Sequence, residues 1–548
     1  MRSAGDREPH RAPRRRFPRS FTRARRLASA ILVASAALVA LAIGAAACGG
    51  GNGSGDKPAP PARPLPDLGD IVGTDREMIV PTHTRGRLPD PRKPNDPTAL
   101  AAMRAEHWGD FTRGPGEAAT DRTPDGASPP APGAGRRRVA RFVHISDFQL
   151  ADDESPARVV ALDEPFLTDG AFRPQEGYGC RVVDAVVKTI NRIHRQVPFD
   201  FVLLGGDNAD NTQQNELDWV FSILGGASSL ACDSGAKDDP VPGPNNDGKD
   251  PFTPEGLDVP WLWVTGNHDV EQQGNYDVTP DRVALSTSND ASGGTRDYSL
   301  AGGPVTQTTV IPDAKRQLLT RAEVMNKIIA DSGKSGPPGH GLGEYARARH
   351  KAFYTYDLPG SPIRFLVIDT SAETGGATGV IHQSDVDAFV APELARAEAD
   401  AKWLVLASHH ASDSIGDGSD TPGVAQPDAV TTKDWEARLT ANPRVILDVV
   451  GHAHDHRVRR IGTAAAGYWE VQSDAIADYP HQLRVIEIWD EDNGWISIRS
   501  VVVDYATDED GVAATARELG ILDYTVGWSC CGPGTAADRN VVLWQKKP

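Results

Sequence analysis

The chain is 548 residues long with a formal net charge of −18, enough for two or more average domains or for one large α/β domain with long insertions. Residues 1–47 hold ten arginines against one Asp and one Glu, a local charge of +8, so the rest of the chain carries −26. Such an acidic body lacks the clustered Lys and Arg needed to wrap a nucleic acid.

Arg14-Arg15-Arg16-Phe17 and Arg23-Ala24-Arg25-Arg26 precede an uncharged, Ala-rich run from Leu27 to Ala47, followed by Cys48 and a Gly/Pro-rich tract. A basic region, an apolar segment and small residues before a processing point describe an export signal over residues 1–48. Arg14 to Phe17 also resembles the twin-arginine signal. Ala45-Ala46-Ala47-Cys48 resembles a bacterial lipobox, which would put a lipid anchor on Cys48, although Ala45 stands where the usual pattern has Leu. The alternative is an uncleaved anchor, since the run approaches the ~20 residues of a membrane span. On either reading the folded body is expected outside the cytoplasm, in the cell envelope or secreted. The other four cysteines are Cys180, Cys232, Cys530 and Cys531, an even number that allows three pairings in an oxidising compartment. Cys180 with Cys232 is the candidate bridge. Adjacent Cys530 and Cys531 would strain a mutual bond and stay open between reduced and linked. Without a CxxC pattern, the cysteines read as structural rather than as metal ligands.

Residues 49–66 have the composition of a flexible tether, and 67–136 read as an extended arm ending in a Pro/Gly-rich linker. The main domain is expected over 137–548, with insertions at about 225–258, 270–351 and 411–430. Val183, Val186, Ile190 and Ile193 recur three or four apart and predict an amphipathic helix from Cys180 to about Gln196. Further helices are expected over 216–224, 313–330, 385–401 and 431–439, and paired strands over 353–358 and 363–369. The first two insertions are long enough to wall an active site and select a substrate. Beyond His454 the runs 467–472, 483–489 and 495–503 alternate polar and apolar residues, which predicts an antiparallel sheet with one polar face.

The chemistry gathers at the ends of five apolar runs. Phe201-Val-Leu-Leu ends in Gly205-Gly206-Asp207-Asn208-Ala209-Asp210, as a buried parallel strand does when it delivers a side chain to the carboxyl edge of a sheet. Arg141 to Ser146 leads into Asp147-Phe148-Gln149. Pro260 to Thr265 leads into Gly266-Asn267-His268-Asp269. Trp403 to Ser408 leads into His409-His410, and Val445 to Val450 into Gly451-His452-Ala453-His454. Singly, His409-His410 reads as a surface or capping pair and Asn267-His268-Asp269 as a turn. Together they supply N and O donors for divalent first-row metals, with no soft thiolate. Two such ions roughly 3.5–4 Å apart activate water and clamp an in-line displacement at phosphorus.

These blocks, in this order, resemble those of the calcineurin-like metallophosphoesterases: DxH, GDxxD or GDxxN, GNHD or GNHE, a lone His after a strand, and GHxH. The resemblance spans 139 to about 503. The arm, the Gly339-His340-Gly341 loop and Asp478-Tyr479-Pro480-His481-Gln482 also resemble a secreted bacterial subgroup. The fold this implies is an α/β four-layer αββα sandwich of two mixed β-sheets flanked by helices. The implied cofactors are two divalent metal ions, Mn, Fe, Zn or Mg, and the implied reaction is hydrolysis of a phosphomonoester or phosphodiester by a metal-bridging hydroxide. Carried over residue by residue, the resemblance gives the first metal Asp147, Gln149, Asp207 and His454, and the second Asp207, Asn267, His409 and His452. His268 takes the place of the residue that assists the leaving group, oriented by a carboxylate, Asp269, while Asp210 supports the Asp207 loop. His410 is the alternative ligand if the register at His409 is off by one, and a substrate contact otherwise. His340 is open between substrate contact and loop packing. Gln149 departs from the family pattern, which has His there. An amide oxygen donates more weakly to a borderline ion than imidazole, so a second reading is a catalytically impaired binding protein of the cell envelope.

Overall fold

Two mixed β-sheets stack face to face, and the apolar runs that end in polar blocks form their parallel centres. The structure is a computed structural model and describes residues 65–548 apart from 166–169, 236–238, 240, 297–301, 304, 332 and 334–335. The first sheet has the order Thr120–Arg122, Val541–Lys546, Trp495–Asp504, Gln482–Asp490, Arg137–Ile145, Phe201–Leu204, Trp261–Trp263. Its last three strands are parallel. The second has the order Arg457–Gly462, Gly467–Gln472, Val445–Val450, Trp403–Ala407, Ile363–Val367, Tyr354–Asp357, parallel except at its two edge strands.

The sheets meet through the inward face of each. Phe365 of the second packs edge-on against Phe142 and Phe201 of the first, at centroid distances of 5.3 and 4.8 Å. Edge-to-face pairs at such spacing contribute beyond their buried area. Helices Gly179–Gln196 and Gln214–Gly225 send Val183, Val186, Ile190, Leu217 and Val220 into the core they share with the first sheet. Helices Ala391–Ala399 and Thr432–Thr440 cover the outer face of the second through Leu394, Trp435 and Leu439. The result is a four-layer αββα sandwich. Because the strands are buried on both faces they read as continuous apolar runs, and their carboxyl ends share one rim.

Several local expectations change. The 313–330 helix is interrupted: a 3₁₀ turn at Ala314–Arg316 is followed by extended chain, and Thr320 opens a separate helix, Arg321–Ala330, with a capping box to Glu323. That Thr-x-x-Glu signature was in the sequence. The 467–472 run pairs in parallel with Val445–Val450 in the second sheet, not with the antiparallel strands of the first. Those antiparallel strands carry polar residues on both faces, and both are covered: on one, Arg141 pairs with Glu487 and Arg499 with Glu491, and on the other Arg484 donates to Ser500 and to the Arg539 carbonyl. Their partners lie within the fold because the arm lies over this sheet, with Thr74 bonded to Val502 and Ile79 to Asp504. The chain after 504 adds a helix, Gly511–Thr525, and the strand Val541–Lys546. Both Cys180–Cys232 and Cys530–Cys531 are disulfides. The export signal and nearly all of the tether, residues 1–64, lie outside the described residues, and among the described residues no helix is long and apolar enough to cross a membrane.

Candidate metal centre

The shared rim brings all five blocks together. Asp147 N donates to the Gly206 carbonyl and Gln149 N to that of Asp207, so the first two loops lie side by side. Gly451 N donates to the His409 carbonyl and His452 N to Asp147 Oδ2, which joins the second sheet to the first. Asp147, Gln149, Asp207, His452 and His454 all have positive φ, between 40° and 72°. Non-glycine residues held there cost of order 1–3 kcal/mol each and gather at functional sites. The approach is close enough to require glycine beside two of them: a Cβ on Gly266 would overlap the Asp207 carboxylate, and one on Gly451 the Ser146 hydroxyl.

Each donor is turned inward by a partner on its far side. His409 Nδ1 donates to the Gly205 carbonyl at 2.9 Å, leaving Nε2 3.0 Å from Asp207 Oδ2. His454 Nδ1 is held by Asp478 Oδ2 at 2.7 Å, and its Nε2 lies 3.2 Å from Asp147 Oδ1. Asn267 Nδ2 donates to the Gly274 carbonyl, which turns its Oδ1 the other way. Such outer partners fix ring and amide orientation in metal sites. Two amide oxygens of the expected set, Gln149 Oε1 and Asn267 Oδ1, are buried without a hydrogen-bond partner, and Asp147 Oδ1 and His409 Nε2 meet other members of the set, His454 Nε2 at 3.2 Å and Asp207 Oδ2 at 3.0 Å. Buried polar atoms left unpaired are costly, and an ion at each of the two expected sites would satisfy one of the two amides. The donor set of carboxylates, amide oxygens and imidazoles fits a divalent ion.

The electrostatics have the same shape. Burial opposes charging of His409, yet Asp207 and Asp147 push it up to about 9. For His454, burial is again outweighed, by Asp147 and Asp478, which push it up to about 10. Burial and the neighbouring His409 hold His452 down at about 4. The two carboxylates thus demand positive charge at the places where ions would sit, and an entering ion displaces protons from these imidazoles.

The remaining expected residues divide. His268 lies on the cleft with Nδ1 donating to the Asp210 carbonyl at 2.9 Å and 3.2 Å from Asp210 Oδ1. Its pKa is raised because Asp207 and Asp210 outweigh burial. Its orienting carboxylate is therefore Asp210, not Asp269. Asp269 is turned away, accepting from Gly266, Asn208 and Ala209 backbone N–H groups, and burial with nearby Asp207 pushes it up to about 7. It fastens the third loop to the second. His410 is buried with both ring nitrogens engaged, by Thr370 Oγ1 and the Ala377 carbonyl, and it also stands with His409 and His452 in a group close enough to hold an ion. His340 is fully buried, stacked on Trp261 and bonded to Asp331. Trp261 opens the strand whose opposite end delivers Asn267, so His340 is loop packing at the far edge of the sheet.

Gln149, Asp207, Asn267, His452 and His454 line an open cleft. Its walls come from Gly170 and Arg173 in the loop after Gln149 and from Ala377, which the sequence did not single out, and from Asp478 and Cys530 with Cys531, which it did without a place at the site. Among the described residues, the insertion at 225–258 contributes no lining residue and the one at 270–351 only Asn275. The first is tied down elsewhere, by the Cys180–Cys232 bond and the Lys249–Asp153 ion pair. Asp478 had a signal, since it opens the Asp478 to Gln482 stretch. Its role had none, because one carboxylate serves His454 on one oxygen and Arg173 Nε on the other, at 2.8 Å. Burial opposes the Arg173 charge, but Asp478 and Asp210 keep it a guanidinium.

The calcineurin-like phosphoesterase family model matches residues 140–458, more than half of the chain, and the chain belongs to that family of metal-dependent phosphoester hydrolases. Among solved structures it is similar to a dimetal phosphatase from Danio rerio, at 12% identity over 68% of this chain and 100% of that one, with a TM-score of 0.36. It is also similar to the sulfate thiohydrolase SoxB of Thermus thermophilus in complex with glycerol, at 13% identity over 72% of this chain and 61% of that one, with a TM-score of 0.29. Among curated protein sequences, none matches.

Proposed function

We propose that the chain is a metal-dependent phosphoesterase that hydrolyses a phosphomonoester or phosphodiester at this cleft, and that it is exported to the cell envelope. The observation that carries the catalytic reading is the pair of buried, unpartnered amide oxygens on Gln149 and Asn267 beside the close cluster of Asp147, Asp207 and His409. Two divalent ions, one held by Asp147, Gln149, Asp207 and His454 and the other by Asp207, Asn267, His409 and His452, would supply an activated water and a clamp on the phosphoryl oxygens. The chain's own groups do the rest. Arg173 is a fixed guanidinium on the same cleft, oriented by Asp478, and binds a phosphoryl oxygen by a charge-assisted bond. His268, held as the imidazolium by Asp207 and Asp210 with Nδ1–H on the Asp210 carbonyl, presents Nε2–H to the cleft, gives that proton to the departing oxygen and is left neutral. A metal-reconstituted screen of mono- and diesters tests the reading; absence of turnover with every ester, in protein carrying its metals, would overturn it.

An impaired binding protein is the weaker reading, because the Gln149 amide oxygen is itself buried and unpaired beside the other donors. A hard, neutral oxygen donor favours manganese or magnesium over zinc, and the Gln149 site holds one imidazole against two in its neighbour. Dialysis against a mild chelator should therefore remove one ion before the other, and manganese should restore activity better than zinc. Gln149→His should narrow that affinity gap. Unchanged sequential loss and unchanged metal preference in that variant would show that Gln149 is not a ligand.

Asp478→Asn tests the outer partner. It removes the carboxylate that orients His454, and such losses typically cost about 10- to 100-fold in metal affinity. Calorimetric titration of the apoprotein should register the loss at one site only. An unchanged pair of affinities would make Asp478 a partner of Arg173 alone.

A further inference from the structure

Most of the residues that line the cleft are polar or charged. Apart from Gly170 and the methyl groups of Ala377 and Ala453, the exceptions are the two half-cystines of the Cys530–Cys531 disulfide. Cys530 is exposed and Cys531 half-buried, in contrast to the buried Cys180–Cys232 pair.

The vicinal pair is held in position from three sides. Arg85, on the arm, donates Nη1 to the Cys531 carbonyl at 2.8 Å and Nη2 to the carbonyls of Ser529 and Cys530 at 2.6 and 3.2 Å. Its guanidinium lies 4.8 Å from the centre of the Tyr524 ring, and that ring fills the space a side chain on Gly532 would need. Gly532 in turn bridges to Asp455, the residue after His454. The next residue along from the disulfide is thus joined to the loop that carries two of the metal-site histidines. Three backbone carbonyls gathered on one guanidinium rigidify a segment that would otherwise be a surface loop, and a positioned surface costs a ligand less ordering on binding.

We propose that the Cys530–Cys531 disulfide is the wall against which the organic part of the ester packs, so that the cleft selects phosphate esters of flat, apolar alcohols, with Arg85 as its positioning residue. This rests on the phosphoesterase reading above. The phosphoryl group is met by charge, at the metal donors and Arg173, whereas the alcohol carries no charge to satisfy. Its apolar face gains by leaving water for the two sulfurs and the adjoining methyl groups, and polarisable sulfur makes favourable contacts with aromatic rings.

The test uses the manganese-loaded full chain and two non-reacting probes, inorganic phosphate and phenylphosphonate, with both affinities measured by calorimetry. Wild-type protein should bind phenylphosphonate about tenfold more tightly than phosphate, the effect of one aryl face finding an apolar partner. Cys530→Ser with Cys531→Ser should bring that ratio close to one while leaving phosphate affinity and metal content unchanged. Arg85→Ala, which touches no lining side chain, should reduce the ratio part of the way, and it carries the test alone if the double variant does not fold. A ratio unchanged in the variants overturns the proposal. So does a wild-type protein that binds phosphate without preferring phenylphosphonate, with the phosphoesterase reading left standing; binding of neither probe overturns both.

Discussion

Asp207→Asn is expected to remove ester hydrolysis, by about 10³-fold or more, and to lower the number of bound ions. Asp207 is buried at the meeting point of the two sheets, with Oδ1 accepting from His268 N at 2.8 Å and Oδ2 3.0 Å from His409 Nε2. Each of the two proposed donor sets includes it, so an amide there takes away a negative charge that both ions share. The substitution is well suited to the question. Asparagine has the same shape and is among the few residues that tolerate the φ of 53° found here, so the loop should keep its path and thermal stability should be little changed. Loss of activity with both ions retained at wild-type affinity would remove Asp207 from its place between them.

His268→Ala is expected to slow esters of poor leaving groups by about 10²- to 10⁴-fold, the usual contribution of a positioned acid, and activated aryl esters far less. Metal content should hardly change, because His268 belongs to neither donor set. Its side chain is 14% exposed, on the cleft, with Nδ1 engaged by Asp210, so Nε2 is the nitrogen available to a departing oxygen. Asp210→Asn should shift leaving-group dependence the same way by a smaller factor. Its interpretation needs a stability control, since Asp210 also pairs with buried Arg158. Equal slowing of good and poor leaving groups would assign His268 to substrate binding instead of proton transfer.

The layered fold and the inward donors could be read from the chain because both are written locally. A strand buried on both faces is an apolar run, its end is marked by glycine, and a polar residue just past it stands at the sheet edge whatever the distant chain does. Asp147, Asp207, Asn267, His409, His452 and His454 were all legible in this way. Partnerships that span the fold were not. Asp269 is adjacent to His268 in sequence, yet backbone N–H groups of two loops claim it, and Asp210, 58 residues earlier, takes the histidine. Similarly, Arg173 lies in a loop with no periodicity or motif, and Asp478, 305 residues away, gives it a direction. The alternating strands near the C-terminus suggested a wet face because alternation reports polarity, not exposure. There the arginines and glutamates neutralise one another under the arm. Cys530 and Cys531 stayed open between reduced and linked, because adjacency in sequence argues only for strain in a mutual bond, and the structure joins them.

The left-handed backbone at Asp147, Gln149, Asp207, His452 and His454 has a bearing on how such a site drifts. Besides glycine, the side chains that enter that region most readily are Asn, Asp and His, and these are also oxygen and nitrogen donors to divalent ions. Branched and bulky aliphatic residues, which would erase the site, are penalised by the main chain before any ligand is considered. Single substitutions that survive at these positions are therefore biased towards exchanging one donor for another. The neighbourhood of this sequence should be populated by proteins with altered metal appetite more than by proteins with none.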